Sequence, residues 1–297
     1  MNFAPMSVDV SIIIVHTFEK RLLRQTLRGI RRAAPQLVYE VIVVDNNPDA
    51  GLHDVLQKEF PEVVYRANEK NLGFGAAMNK GIAIARGKYV LIFNPDIVLL
   101  PGSLEQLHAF MECHLDIGIL GPQLVNPDGG VQRSFMRFHS PWIPVYRRTP
   151  LGRLPFGKRA IEYFLMEDAD CTQVQDVDWL LGAALFSRKS VLDSVGGFDD
   201  GYFLYFEDTD LCRRVWMQGN RVVYFPGSRM IHYHRRASSD GSLIAQLFSW
   251  STRKHMASAV RYFKTYWNVK NPRHVSGAVS TDISALPPTA STTGASI

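Results

Sequence analysis

Cysteine is scarce in this sequence. Cys113, Cys171 and Cys212 are an odd number without CxxC spacing, which argues against a disulfide framework or a thiolate zinc site and suits a reducing compartment. Long apolar runs are missing too, since no stretch approaches the ~20 apolar residues of a membrane-spanning helix. No basic residue precedes Lys20, so the charged-then-apolar order of a secretory signal is not seen, and a cytoplasmic protein is expected. Acidic residues are nearly absent from one region: residues 229–273 hold nine basic side chains against Asp240 alone, a local +8 within a chain of formal net charge +5. The preceding body, with 24 basic and 26 acidic residues, is close to neutral. This distribution disfavours a globally basic nucleic-acid binder and favours a neutral body carrying a basic C-terminal segment.

At 297 residues and 46% hydrophobic composition, the chain can bury a large core. Val10–His16 (VSIIIVH) and Tyr39–Asp45 (YEVIVVD) are β-branched runs without polar alternation, the pattern of strands buried on both faces. Between them Leu22, Leu23, Leu27 and Ile30 recur at helical spacing, making a βαβ unit. The alternation continues with a helix over 52–60, a short strand over 63–66, a helix over 75–85 and a buried strand over 89–93. A helix over 104–111, a strand near 117–120 and a helix over 208–217 follow. This pattern predicts a three-layer α/β/α domain around a mostly parallel central sheet. Four prolines and four basic residues within 141–158 suggest an irregular, mobile loop. Residues 274–297 are too poor in large apolar groups to pack and are expected to form a disordered tail.

Ligands of open parallel sheets sit beyond the carboxyl ends of the strands. Those ends carry His16-Thr17, Asp45-Asn46-Asn47 and Asn94-Pro95-Asp96. Such groups could hold a base, a ribose and a metal-bound diphosphate, although Asx residues also simply start turns. Asn71-Leu72-Gly73-Phe74-Gly75 leads into a helix with Asn79 one turn on; its glycines would let the backbone approach an anion at the helix N-terminus. GxGxxG is incomplete because Met78 stands where its third glycine belongs, which counts against a dinucleotide-dependent oxidoreductase. Further on, Glu207, Asp208 and Asp210 place three carboxylates within four residues at a helix start, where like charges raise one another's pKa. One can cap the helix, leaving another for acid/base chemistry.

In order, VVDNNP, NLGFGAAMN, FNPDI, WLLGA, GGFDDGYFLYFEDTDLCRR and IHYH resemble family 2 glycosyltransferases, in particular the bacterial rhamnosyltransferase-like branch, over roughly residues 10–240. The resemblance implies a GT-A fold, a nucleotide-sugar donor, Mg²⁺ or Mn²⁺, and inversion at the anomeric carbon in one displacement. It places Thr17, Asp45, Asn71, Gly73, Asn79, Asn94 and Asp96 at the donor, with Asp45 on the pyrimidine ring. Asp96 matches the second acid of the DXD metal motif, while Asn94 replaces the first and can still offer a carbonyl oxygen. His232, or alternatively His234, would complete the metal site. Asp208 is implied as the base, with Glu207 next and Asp210 as a helix cap. Trp179 and Gly182 resemble the acceptor loop, though Trp179 would equally serve a core.

The implied reaction moves a sugar, with L-rhamnose from dTDP-rhamnose as the leading choice, onto a lipid-linked or polysaccharide acceptor. Alternatives are a UDP-dependent hexosyl or galactofuranosyl transferase, or a non-catalytic nucleotide-sugar-binding relative. The expected organisation is a catalytic domain over 1–240, a basic amphipathic helix over 241–273, and the tail. In the helix, Met256, Ala259, Val260, Phe263 and Trp267 share one face, flanked by Arg253, Lys254, Arg261 and Lys264. That face could lie on the inner surface of the plasma membrane or pack on the catalytic domain.

Overall fold

A computed structural model of the protein describes residues 7–233 and 250–275. β1 (Val10–His16) and β2 (Tyr39–Asp45) pair in parallel, from Val10 opposite Tyr39 to His16 opposite Asp45. Branched side chains suit these strands because both faces are covered. α1 (Lys20–Ala33) makes the crossover and buries Leu23, Leu27 and Ile30 on one stripe. α2 (Leu52–Glu59), β3 (Val64–Ala67), α3 (Phe74–Ile84) and β4 (Tyr89–Phe93) complete a parallel half-sheet ordered β3-β2-β1-β4.

Beyond β4 the sheet becomes mixed. β5 (Ile97–Leu99), α4 (Ser103–Cys113) and β6 (Ile117–Val125) come next in the chain, and β7 (Phe135–Met136) follows them. β10 (Ala184–Arg188), followed by the short α7 (Lys189–Ser194), runs antiparallel between β4 and β6, and β11 (Arg221–His232) runs parallel to β6. At the far edge β5 pairs antiparallel with β11, setting Ile97 opposite His232. β8 (Gln175–Asp176) also pairs with β11, bringing the sheet to nine strands among the described residues. A small ribbon of β7 and β9 (Trp179–Leu180) stands apart.

Separate apolar clusters fill the two faces. Ile12, Ile14, Leu23, Leu27 and Phe110 lie on one, and Ile13, Met78, Ile92, Leu211 and Trp216 on the other. Each fully buried side chain of this kind contributes ~1.5–3 kcal/mol. The three-layer α/β/α expectation therefore holds.

Two segments depart from the sequence reading. Instead of an irregular loop, 141–158 forms α5 (Ile143–Arg148), a 3₁₀ turn Pro150–Arg153 and the start of α6 (Pro155–Phe164). Pro144, Pro150 and Pro155 fall in the first turns, where a missing N–H costs nothing, so they start helices rather than break them.

The C-terminal helix, Trp250–Tyr266, packs on the body through Ser258, Tyr262 and Tyr266 together with Ala259 and Phe263, so only part of the apolar stripe read from the sequence faces the catalytic domain. Tyr262 is 1% exposed, clustered with Tyr202 and Phe206, whereas Met256, Val260 and Trp267 face outward. Pro272–Val275 adds one helical turn. His234, residues 241–249 of the expected amphipathic segment and residues 276–297 of the expected tail lie outside the described residues.

Candidate active site

The carboxyl ends of β1, β2 and β4 converge as the parallel half-sheet requires. At the first two, His16 Nδ1 lies 2.8 Å from Asp45 Oδ1, and both side chains are enclosed, at 1% and 0% exposure. The Asn47 N–H donates to the same oxygen, and Tyr65 donates its hydroxyl to Oδ2 at 2.9 Å. Burial alone would push the Asp45 carboxyl up, but the hydrogen bonds from His16, Asn47 and Tyr65 hold it below its ordinary value. As folded, Asp45 holds His16 in place, and both of its oxygens are engaged by His16, Asn47 and Tyr65. Thr17 is half-buried, and its carbonyl accepts from the Asn47 side chain at 3.1 Å.

The segment around Asn71 also departs from the donor-binding expectation. Gly73 has φ +88°, and a Cβ there would sit 2.3 Å from the Phe203 carbonyl oxygen. Its freedom thus serves the crossing of two chain segments, joined by the Phe74 N–H donating to Phe203 O, rather than the approach of an anion. Asn71 closes a local turn by accepting from the Gly73 N–H. Asn79 grips the 197–200 loop: its amide donates to Phe198 O and Asp200, and its oxygen accepts the Phe198 N–H at 2.8 Å. These residues fix the segment that leads into the carboxylate cluster.

That cluster opens α8 (Glu207–Met217). Tyr205 and Phe206, just before it, both have φ +68°, an uncommon left-handed conformation for non-glycine residues that costs ~1–3 kcal/mol each. Asp208 accepts the Gly182 N–H at Oδ2 (2.9 Å) and the Thr209 N–H at Oδ1 (2.7 Å). Burial pushes its carboxyl up, opposed by those two N–H groups. Glu207 is 6% exposed, and its Oε2 makes no hydrogen bond. Burial, followed by the charge of Asp208, pushes it up to about 8. The pair therefore holds on to a proton at neutral pH, with the positive end of α8 nearby to stabilise charge on release.

Asp210 is no cap. Within α8 it accepts Arg214 Nε and the Tyr266 hydroxyl, both at 2.7 Å, so it anchors the C-terminal helix. Gly182 supports the carboxylate cluster, since its N–H holds Asp208. Trp179 belongs to the core: 6% exposed, it donates from Nε1 to Arg137 O, which leaves no open ring face for a sugar.

The structure brings Asp96 and His232 together. Edge pairing of β5 with β11 sets His232 Nε2 3.4 Å from Asp96 Oδ2. Gln132 donates its amide to His232 O and Asn126 Oδ1, which leaves its oxygen 2.8 Å from His232 Nδ1. Nδ1 then carries the hydrogen, and in the neutral ring the Nε2 lone pair points at a carboxylate. Two acceptors facing one another, with Asp96 Oδ1 buried and making no hydrogen bond, fit a divalent cation. Among the described residues no group of three or more His, Cys, Asp or Glu forms, so a cation held here would need oxygens from its substrate and water. Asn94 is half-buried; its N–H donates to Ala183 O at 2.9 Å, tying the end of β4 to the residue after Gly182. One short run of backbone thus joins the Asp96–His232 pair to Asp208.

Across this framework, residues 11–172 match the model of glycosyl transferase family 2. The chain belongs to that family. A second model, glycosyl transferase family group 2, matches residues 164–267. N-acetylglucosaminyl-diphospho-decaprenol L-rhamnosyltransferase of Mycobacterium tuberculosis is 29% identical over 229 residues, 68% of each chain. Rhamnosyltransferase WbbL of Escherichia coli is 40% identical over 86 residues, 29% of this chain and 30% of WbbL. Among solved structures, GalNAc-T7 with UDP, GalNAc and Mn²⁺ superposes with a TM-score of 0.64 at 17% identity, covering 90% of this chain and 49% of that one. This likeness shows the fold. The protein is a family 2 glycosyltransferase, rhamnosyltransferase-like, with a GT-A fold.

The sequence reading missed Gln132, which is 100 positions from the histidine it orients, and Tyr262 and Tyr266, which stand 49 and 56 positions from their partners. No local pattern marks such pairs. The FEDTD run and its spacing to Tyr266 become informative only once the C-terminal helix is placed.

Proposed function

We propose that this glycosyltransferase moves a sugar, with inversion, from a nucleotide-sugar donor to a lipid-linked acceptor, using a divalent metal, and works as a peripheral protein on the cytoplasmic face of the membrane. The carrying observation is the Glu207–Asp208 pair, with Glu207 buried and Asp208 half-buried, whose Asp208 oxygen is aimed by the Gly182 N–H. An inverting displacement needs a carboxylate that takes the acceptor hydroxyl's proton as that oxygen attacks the anomeric carbon and the nucleoside diphosphate leaves. Asp208 takes that role, and Glu207, raised to about 8, holds the neighbouring proton so that only one of the two is charged when an acceptor arrives.

Asp96 and His232, with Gln132 fixing the ring, would hold Mg²⁺ or Mn²⁺, and Asn94 offers a further oxygen from the same loop. When bound, that ion neutralises charge developing on the leaving diphosphate. The nucleoside belongs at the ends of β1 and β2, where Thr17 and Asn47 are partly accessible and the His16–Asp45–Tyr65 network makes a rigid floor.

dTDP-rhamnose is the leading donor because the M. tuberculosis relative and WbbL are both named rhamnosyltransferases, and a diphospho-decaprenol acceptor in the first name supports the lipid-linked class. Thermal-shift screening of nucleotide sugars with Mn²⁺, followed by diphosphate-release assays, tests the reading. Stabilisation by dTDP-rhamnose above UDP-sugars is expected, and stabilisation by none would overturn it.

A further inference from the structure

The segment 141–164 is folded into a helical hairpin and yet leaves large apolar side chains in solvent. Ile143 and Phe164 root it in the core at 4% and 2% exposure. At Gly157 a Cβ would lie 2.2 Å from Leu151 O, so the crossing of α6 over the 3₁₀ turn needs a residue without a side chain. Outward, Trp142 is 63% exposed, Phe156 54%, Leu151 44% and Leu154 43%. Single exposed apolar residues are ordinary on any protein, but several within one short segment are not. The same segment carries Arg147, Arg148, Arg153, Lys158 and Arg159 against Glu162 alone. Aromatic and aliphatic tips set among cations match the boundary of an anionic bilayer, where rings sit at headgroup level and lysine and arginine meet lipid phosphate.

The hairpin is also near the candidate base. The Phe164 ring lies 4.7 Å from His139, and His139 lies 4.6 Å from Phe206, the residue before Glu207. An acceptor held in a membrane under this surface would present its headgroup on that side of the site.

We propose that the hairpin 141–164, rather than the C-terminal helix, is the surface by which the enzyme docks on an anionic phospholipid bilayer. The proposal rests on the lipid-linked acceptor reading above. The outward face of the C-terminal helix bears Met256, Val260 and Trp267, but the inner face of that helix is committed to the body through Ser258, Tyr262 and Tyr266. In addition, its Arg261 is engaged by Asp199.

Co-sedimentation with phosphatidylcholine vesicles, with and without phosphatidylglycerol, tests this. The full chain should bind the anionic vesicles, and increasingly so as salt is lowered. The double variants Trp142→Ala with Phe156→Ala, and Arg153→Glu with Arg159→Glu, should each weaken binding by about tenfold or more, while Met256→Ala with Val260→Ala changes it little. All of these positions are exposed, and stabilisation of each variant by nucleotide sugar with Mn²⁺ reports an intact donor site. The proposal falls if the full chain ignores phosphatidylglycerol, if the hairpin variants bind like the parent, or if only the C-terminal helix variant loses binding. It also falls if light scattering shows a dimer that Trp142→Ala with Phe156→Ala splits while vesicle binding is unchanged. If no nucleotide sugar stabilises the parent, the transferase reading fails separately, and the vesicle result still decides the surface.

Discussion

Asp208 and Gly182 are joined across 26 positions by one hydrogen bond, the Gly182 N–H donating to Asp208 Oδ2 at 2.9 Å. The bond fastens the first turn of α8 to the turn between β9 and β10. Asn94 binds the next residue of that turn, Ala183, so the candidate base and the end of β4 share one support. A carboxylate aimed in this way loses little freedom when it meets an acceptor hydroxyl, which is the advantage of an organised site.

Replacing the carboxylate without changing its shape isolates its chemistry. Asp208→Asn should lower turnover by roughly 10²–10⁴-fold while nucleotide-sugar binding, read by thermal shift, stays near the parent value. A fully active Asp208→Asn protein would remove Asp208 from its role.

For the metal pair, Asp96→Ala and His232→Ala should each abolish the Mn²⁺-dependent part of donor binding in calorimetry. Gln132→Ala should weaken metal affinity by about 10–100-fold, because the imidazole then loses the acceptor that fixes its tautomer and orientation. Equal metal titrations for Gln132→Ala and the parent would count against that orientation.

The raised carboxyl of Glu207 makes stability depend on pH with a definite sign. Its folded-state value, about 8, exceeds its unfolded value of 4.5. The folded protein therefore binds the extra proton, and the associated stability is complete below the unfolded value and lost as pH rises toward about 8. Glu207→Gln cannot lose that proton, so its melting temperature should exceed the parent's by more at pH 8 than at pH 5. By the roles given to the pair, turnover in the parent should fall as Glu207 loses its proton at about pH 8, a limb that Glu207→Gln removes.

Asn79 separates a structural role from a donor contact. If it clamps the Phe198 backbone, as its three hydrogen bonds indicate, Asn79→Ala should cost about 1–3 kcal/mol in urea unfolding and leave the donor KM within about twofold. A large KM rise with unchanged stability would restore the donor-binding assignment.

The C-terminal helix is expected to be indispensable to the fold. Tyr262→Ala should cost about 3–5 kcal/mol, since the ring fills the space between Phe206 and Arg213. A chain ending before Trp250 should lose turnover together with stability, because Leu204 and Asp210, on either side of the strained turn, then lose Ser258 and Tyr266 as partners. Undiminished turnover in the shortened chain would show the turn to be held by α8 alone.

The α/β class and the polar strand ends were legible in the order of the residues. Buried parallel strands read as unbroken β-branched runs, and 10–16, 39–45 and 89–93 appear at the boundaries expected of them. The FEDTD cluster was equally legible, because like charges packed beside aromatic residues stand out locally. What each polar group is bonded to follows only from the tertiary fold. Asp45, Asn71, Gly73, Asn79, Trp179 and Gly182 are each engaged by partners two to more than a hundred positions away. Only the pairing of β5 with β11 brought Asp96 to His232. Periodicity and composition report which face of an element is apolar, but a buried donor or acceptor is satisfied across the fold, and that pairing has no local signature.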